Sequence, residues 1–222
     1  MRIGINGFGR IGRTVFRILN RQQDIDVAAI NDLANDDVLA YLLKYDTVMG
    51  PLKDSVSVKN GVLTTSNHSI KMLNEHDPAT LPWTELGVDV VIEATGVFRT
   101  REQLQSHLDA GAGYVILTVP AKDEIDYTVV IGVNEDRLTS EHKIISNASC
   151  TTNCLAPMAK VLNDAFGIEY GVINTIHAYT NDQRLADVPH SDWRRSRAAA
   201  ENIIPTTTDR KSTRLNSSHV LI

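Results

Sequence analysis

The chain has little cysteine, no long apolar run and no excess of basic side chains, and each absence excludes a class of protein. Its two cysteines, Cys150 and Cys154, are too few for a disulfide framework. No apolar run reaches the roughly 18 residues of a membrane span, and the N-terminal MRIGINGFGR lacks the apolar core of a signal peptide. With 22 basic and 27 acidic side chains the net charge is −5, so no global basic field exists to hold nucleic acid. We therefore expect a soluble, cytoplasmic protein with no membrane or nucleic-acid partner.

What the sequence does contain is an alternation of buried-type strands with stretches of helical period. Strands are predicted over 2–6, 26–31, 55–59, 62–65, 88–93, 114–117, 128–131 and 143–146, and helices over 10–21, 36–44 and 100–110. Asn60-Gly61 lies between two of the strands and favours a tight hairpin turn. The pattern predicts an α/β fold with a doubly wound, mostly parallel sheet covered by helices.

The pattern changes after Ser149. One long helix is predicted over 151–166, although Pro157 inside it removes a backbone donor and indicates a kink or an irregular first turn. A strand is predicted over 170–177, followed by a polar and basic segment over 181–202. The last residues, 209–222, show no periodicity.

A glycine motif follows the first predicted strand and opens the first helix. Gly7, Gly9 and Gly12 have the G-x-G-x-x-G spacing of dinucleotide-binding proteins, in which they permit a tight turn, close approach of the pyrophosphate and close helix–strand packing. The helix N-terminus then faces the phosphates. Asp32 follows Gly12 by 20 positions and is placed to accept hydrogen bonds from the adenosine ribose. A glycine-rich turn without a ligand is the alternative, but the motif, its flanking elements and the acid together favour NAD.

Cys150 is the candidate nucleophile, because it lies where a predicted strand passes into a helix. The helix dipole stabilises a thiolate there, and the free backbone N–H groups can hold an oxyanion. Cys154, one helical turn further, is expected to be a buried structural thiol. Two alternatives stay open for the pair: half of a metal site, for which the spacing is a weak signal, and ordinary buried cysteine.

His177 ends the predicted strand over 170–177, and an imidazole beside a thiol would lower the thiol pKa and relay protons. The two residues are 27 positions apart, so spacing does not predict the contact, and a structural histidine remains the alternative. The run Arg194-Arg195-Ser196-Arg197 is either a solvated surface or a local anion site.

With these segments in hand, the chain resembles the phosphorylating, NAD-dependent glyceraldehyde-3-phosphate dehydrogenases. The matching stretches run in family order over residues 1–208: GINGFGRIGR, INDL, ATGVF, SNASCTTNCLAP, HAYTNDQ and RRSRAAAENIIPTTT. The resemblance implies a glycolytic enzyme of the cytoplasm. It would oxidise glyceraldehyde 3-phosphate with NAD through a cysteine thioester, which inorganic phosphate converts to 1,3-bisphosphoglycerate. It also implies a homotetramer and an α+β catalytic domain after the Rossmann-type domain.

The resemblance assigns roles residue by residue. Cys150 matches the family nucleophile and His177 its base, and no metal is implied. The residues that match family positions for binding the substrate phosphate or the attacking phosphate are Ser149, Thr151, Thr180, Arg195 and Thr208. The cofactor shell matches Asn6, Gly7, Phe8, Gly9, Arg10, Ile11, Gly12, Asp32, Thr95, Gly96 and Thr118, the last standing where many members carry serine.

The resemblance ends at Thr208, and this sets the expected domains. They are an NAD-binding Rossmann domain over 1–149, a partial catalytic domain over 150–208, and a non-family tail over 209–222 that we expect to be a sequence artefact. Because the family continues well past this point, we expect the catalytic domain to be truncated and this chain to be inactive. Two alternatives stay open: an NAD-binding module without turnover, and an erythrose-4-phosphate dehydrogenase.

Overall fold

The structure is a computed structural model and describes residues 1–205. The chain divides into two compact units, Met1–Ser149 and Cys150–Ile222. The predicted tail over 209–222 and Thr208 lie outside the described residues.

The first unit is built on a mostly parallel sheet, as the sequence predicts. Within residues 1–205 its strands are β1 (Arg2–Asn6), β2 (Asp26–Asn31), β3 (Ser57–Lys59), β4 (Val62–Thr64), β5 (Ser69–Leu73), β6 (Val90–Glu93), β7 (Tyr114–Leu117), β8 (Tyr127–Thr128) and β9 (Ile144–Ser146). Their order across the sheet is β3-β4-β5-β2-β1-β6-β7-β9-β8. The seven strands from β5 to β8 in that order pair in parallel, so their carboxyl ends meet at one edge.

The antiparallel edge comes from the Asn60-Gly61 turn. Lys59 pairs with Val62 across it, and both turn residues have positive φ angles, 52° and 70°. A tight hairpin turn whose twist matches that of its strands needs this geometry. The predicted hairpin is confirmed, with its first strand two residues shorter than expected.

Apolar side chains cover both faces of the sheet because successive residues of a strand point to opposite sides. Ile3 and Ile5 belong to a core cluster with the helices that follow β1 and β2. Gly4 faces the other way, where a Cβ would lie 2.7 Å from the Trp83 ring. A bulge at Ala28 adds one residue to β2, since Ile3 pairs with Val27 and Gly4 with Ala29.

Two of the four helices of the first unit begin after a side-chain cap. The four are α1 (Arg10–Leu19), α2 (Asp36–Lys44), α3 (Trp83–Leu86) and α4 (Arg101–Asp109). Asn35 caps α2, and Thr100 with Gln103 forms the predicted capping box of α4. The predicted strand over 128–131 is wrong in extent, because only its first residue belongs to a strand and residues 131–134 form turns.

The second unit begins with one long helix, α5 (Cys150–Phe166), which continues through Pro157. The predicted strand over 170–177 is wrong. A strand exists only when its backbone groups pair with a neighbour, and within the described part of the chain this segment pairs with none. Large apolar side chains of this unit are exposed, Phe166 at 84% and Ile176 at 97%. Among residues 1–205, no helix has the length and apolar character needed to cross a membrane.

Candidate active site

The glycine motif forms the turn between β1 and α1. Gly7 has a φ of +91°, and a Cβ on it would lie 2.5 Å from the Thr95 backbone nitrogen. A Cβ on Gly12 would lie 2.0 Å from the Gly7 carbonyl oxygen. A Cβ on Gly9, by contrast, would meet nothing within 4 Å. Two of the glycines are therefore fixed by the protein's own packing, while the third keeps a space open in front of α1.

Asp32 binds this turn from the end of β2. Its carboxylate accepts a hydrogen bond from the Phe8 backbone N–H at 2.6 Å and from the Ala34 N–H at 2.9 Å. A carboxylate has about four acceptor positions, so two remain for ribose hydroxyls. The Phe8 side chain itself is buried and packs edge-on against Phe16, so only the backbone of Phe8 faces the turn.

The remaining predicted cofactor residues surround the same turn. Asn6 is buried and donates to Glu93 at 2.6 Å, and Thr95 donates to the same carboxylate. The Thr118 hydroxyl donates to the Glu93 carbonyl at 3.1 Å. Two of the predicted residues thus bond the Glu93 side chain and a third bonds its backbone carbonyl, although sequence reasoning does not select Glu93.

At the mouth of the turn, Arg10 pairs with Asp46 at 3.0 Å, and Ile11 is 49% exposed. Gly96 has a φ of +72° and is exposed. Arg13 is buried behind the turn and donates to the Phe8 carbonyl at 2.8 Å. Arg13 is a second residue that sequence reasoning missed, although it is the last residue of the GINGFGRIGR stretch.

These residues fit a dinucleotide on the evidence of the turn itself. No side chain caps the N-terminus of α1, so its first-turn N–H groups face outward beside the open space at Gly9. The first turn carries no acidic side chain. The donors, the dipole and the absence of repulsive charge in that turn suit a pyrophosphate.

Cys150 and His177 are in direct contact in the second unit. The Cys150 Sγ lies 3.2 Å from the His177 Nε2, and the His177 Nδ1 lies 2.6 Å from the Ala178 carbonyl oxygen. A carbonyl oxygen only accepts, so Nδ1 carries a proton and Nε2 is the atom presented to the thiol. Both side chains are exposed and open to a substrate.

The contact changes both pKa values. Burial by itself raises the pKa of the Cys150 thiol, but the hydrogen bond to His177, the imidazolium charge and hydrogen bonds from Thr151 outweigh it, and the net pKa is lowered. The hydrogen bond to Ala178 and then that to Cys150 raise the pKa of His177. The pair therefore favours a thiolate beside an imidazolium, which is the reactive form of a nucleophilic cysteine.

Cys154 differs from the expectation of a buried structural thiol. It is free and exposed. Of the predicted phosphate residues beside Cys150, Thr151 is buried and Ser149 half-buried. No group of three or more histidine, cysteine or acidic side chains in residues 1–205 is arranged to hold a metal ion.

The other predicted phosphate residues, Thr180 and Arg195, share one neighbour. The Arg195 guanidinium bonds the Asp182 carboxylate, and the Asp182 backbone N–H donates to the Thr180 hydroxyl at 3.3 Å. Asp192 lies 3.8 Å from the same guanidinium. A phosphate that binds Arg195 therefore shares the guanidinium with these carboxylates.

The fold and these residues define a dinucleotide-binding protein that carries an activated cysteine. The sequence model of the glyceraldehyde 3-phosphate dehydrogenase NAD binding domain matches residues 1–101, and that of the family's C-terminal domain matches residues 149–214. The chain belongs to the glyceraldehyde-3-phosphate dehydrogenase family.

Curated relatives agree with this assignment. The chain is 56% identical to the glyceraldehyde-3-phosphate dehydrogenase of Streptomyces coelicolor over 94% of its own length. It is 56% identical to that of Geobacillus stearothermophilus over 94%, and 57% identical to that of Thermotoga maritima over 93%. In each case the chain spans 62% of the length of the relative.

Proposed function

We propose that the protein is an NAD-dependent, phosphorylating glyceraldehyde-3-phosphate dehydrogenase of glycolysis. The observation that carries the proposal is the 3.2 Å contact between Cys150 and His177 at the N-terminus of α5, in a chain whose first domain is built to hold a dinucleotide. When bound, NAD supplies the acceptor for the hydride that leaves the substrate carbon.

The Cys150 thiolate would attack the aldehyde carbon, forming a carbon–sulfur bond. The His177 imidazolium would protonate the resulting oxyanion through Nε2. As the carbon is oxidised to a thioester, the same nitrogen, now neutral, takes the hydroxyl proton back. Inorganic phosphate then attacks the thioester and releases the thiolate. A thiol whose pKa is lowered is a good leaving group, so one interaction serves both steps.

Thr180 and Arg195 would hold the substrate phosphate. Arg195 supports this role because its guanidinium is largely buried and already oriented by carboxylates. Two oxygens of a phosphate can accept two parallel N–H hydrogen bonds from a guanidinium. Ser149 and Thr151, beside the nucleophile, would contact the attacking phosphate.

The assembly and location are part of the same proposal. A homotetramer is supported by the exposed apolar side chains of the second unit, which a partner surface would remove from water. A cytoplasmic location is supported by two free thiols, one of them activated, since such a thiolate stays reduced in a reducing compartment.

Because we expect residues 1–222 alone to be inactive, the test is NADH formation from NAD, glyceraldehyde 3-phosphate and phosphate by this chain joined to the C-terminal part of a full-length relative, with Cys150→Ser and Cys154→Ser as a matched pair. We expect the first substitution to abolish NADH formation and the second to leave it unchanged. NAD binding by a chain with an unreactive thiol and no NADH formation would instead support a binding module. Faster turnover of erythrose 4-phosphate than of glyceraldehyde 3-phosphate would reassign the substrate.

A further inference from the structure

Glu93 is the one acidic residue among the buried residues of the first unit, residues 1–149. It ends β6, its carboxylate is fully buried, and no arginine or lysine pairs with it among residues 1–205. Four donors reach its two oxygens. The Asn6 amide lies 2.6 Å and His107 Nε2 lies 3.1 Å from Oε2, while the Thr95 N–H lies 2.8 Å from Oε1 and the Thr95 hydroxyl also bonds Oε1.

The number of donors around Glu93 matches the acceptor capacity of a carboxylate. The Thr95 hydroxyl accepts from the Val97 N–H at 3.1 Å, so its own proton is free to point at Glu93. A carboxylate has about four acceptor positions, and three N–H donors and one hydroxyl fill them. Glu93 is therefore an anion held entirely by hydrogen bonds, which are stronger for a charged acceptor.

His107 is held in one tautomer. The Trp83 indole Nε1 lies 3.1 Å from His107 Nδ1, and an indole N–H can only donate. Nδ1 therefore accepts, and the imidazole proton sits on Nε2, which faces Glu93. A doubly protonated ring would set two donors against each other at Nδ1, so His107 donates to Glu93 as a neutral group.

The buried hydrogen bonds of Glu93 reach both sides of the glycine turn. Asn6 immediately precedes Gly7, and Gly7 packs directly on the Thr95 backbone, where a Cβ would lie 2.5 Å from the nitrogen. Glu93 thus joins the strand before the turn to the segment on which the turn packs. Neither Asn6 nor Thr95 can move away from Gly7 without breaking a hydrogen bond to a buried charge.

We infer that Glu93, oriented by His107 and Trp83, is a positioning residue for the dinucleotide: it holds the Gly7 turn in the conformation that receives the pyrophosphate. The inference rests on the proposed NAD site and adds residues to it that do not touch the ligand. It also explains why an anion is retained where an apolar side chain would pack at less cost.

The experiment is calorimetric titration of the 222-residue chain with NAD, with thermal unfolding of each variant alongside. Glu93→Gln keeps the shape but replaces one acceptor oxygen with a donor, and we expect the Kd for NAD to rise about tenfold. His107→Leu removes the donor to Glu93, and we expect a similar rise. His107→Gln keeps a donor and an acceptor on one amide, and we expect it to bind NAD more tightly than His107→Leu.

The ranking of the two His107 variants separates positioning from packing. If the site were only structural, the apolar leucine would be the better buried replacement and would bind NAD at least as well as glutamine. Val115→Ala is the control. It truncates a buried side chain of β7 and leaves the four hydrogen bonds intact, so we expect a lower Tm and an unchanged Kd.

The titrations distinguish failure of the proposed function from failure of the inference about Glu93. A parent chain that fails to bind NAD overturns the proposed function, and this inference with it. Tight binding by the parent with an unchanged Kd in Glu93→Gln and His107→Leu overturns the inference alone. If Glu93→Gln does not fold, the two His107 variants decide, and leucine binding NAD as well as glutamine overturns the inference.

Discussion

Gly9 and Gly12 differ in what surrounds them, and alanine substitutions should therefore separate ligand binding from stability. Gly9 has a negative φ, −69°, so alanine meets no left-handed strain there, and its Cβ would meet nothing within 4 Å. At Gly12 the Cβ would lie 2.0 Å from the Gly7 carbonyl oxygen, where real Cβ atoms stay beyond 3.0 Å. The turn would have to move by at least 3.0 − 2.0 = 1.0 Å to accept it.

The magnitudes follow from these contacts. In Gly9→Ala, a poorer helix N-cap costs up to about 1 kcal/mol, and the stiffer unfolded chain returns about 0.4–1 kcal/mol, so the stability changes little. In Gly12→Ala, overpacking costs about 1–3 kcal/mol. At about 2–4 °C per kcal/mol for a domain of this size, the Tm falls by roughly 2–12 °C. A methyl group at Gly9 would occupy the space we assign to the pyrophosphate and weaken NAD binding about 5- to 100-fold.

The measurements are thermal unfolding by circular dichroism without ligand and calorimetric titration with NAD. We expect Gly9→Ala to melt with the parent and bind NAD poorly, and Gly12→Ala to melt early. The reasoning is refuted if Gly9→Ala binds NAD as tightly as the parent, or if it loses as much stability as Gly12→Ala.

Two further predictions concern ionisable groups. His177→Asn removes the imidazolium that lowers the pKa of Cys150. The midpoint of the pH profile for iodoacetamide alkylation, measured in a Cys154→Ser background, should therefore move to higher pH. An unchanged midpoint contradicts the role of His177 in activating Cys150. Burial alone would raise the pKa of Asp126, but two backbone amides at the start of β9 and the Arg101 guanidinium lower it overall. The ionised Asp126 therefore stabilises the fold above the ordinary carboxyl pKa, and this stabilisation is lost as the pH falls through the pKa of the folded state. Below about pH 4 the Tm of the parent should fall more steeply than that of Asp126→Asn. Parallel plots of Tm against pH for the two proteins would contradict the prediction.

The parts of the fold that sequence predicts well are those with local causes. The spacing of Gly7, Gly9 and Gly12 between a strand and a helix is set by the turn itself. The Asn60-Gly61 hairpin and the Thr100 capping box likewise depend on residues within a few positions of each other. In these places the sequence pattern and the physical cause coincide.

The errors and omissions have non-local causes. The 170–177 segment has the apolar character of a strand, yet no neighbouring strand pairs with it among the described residues. The contact of Cys150 with His177 joins residues 27 positions apart, and spacing gives no measure of it. The role of Glu93 is not predicted from sequence because this residue ends an apolar strand, although a lone acid at the carboxyl end of a buried parallel strand is a usable signal.

The central position of β1 also sets the order of events during synthesis. β1 is the first strand made, but it lies between β2 and β6, and Ile3 pairs with Val90, 87 positions later. At about 5–20 residues per second, the ribosome needs roughly 4–17 s to add these residues. Until β6 has been made, one edge of β1 has no partner strand. Glu93, which bonds both Asn6 and Thr95, has not yet been added to the chain. The N-terminal sequence that identifies the nucleotide site is therefore made first, but it gains its fixed shape only after β6 has been added.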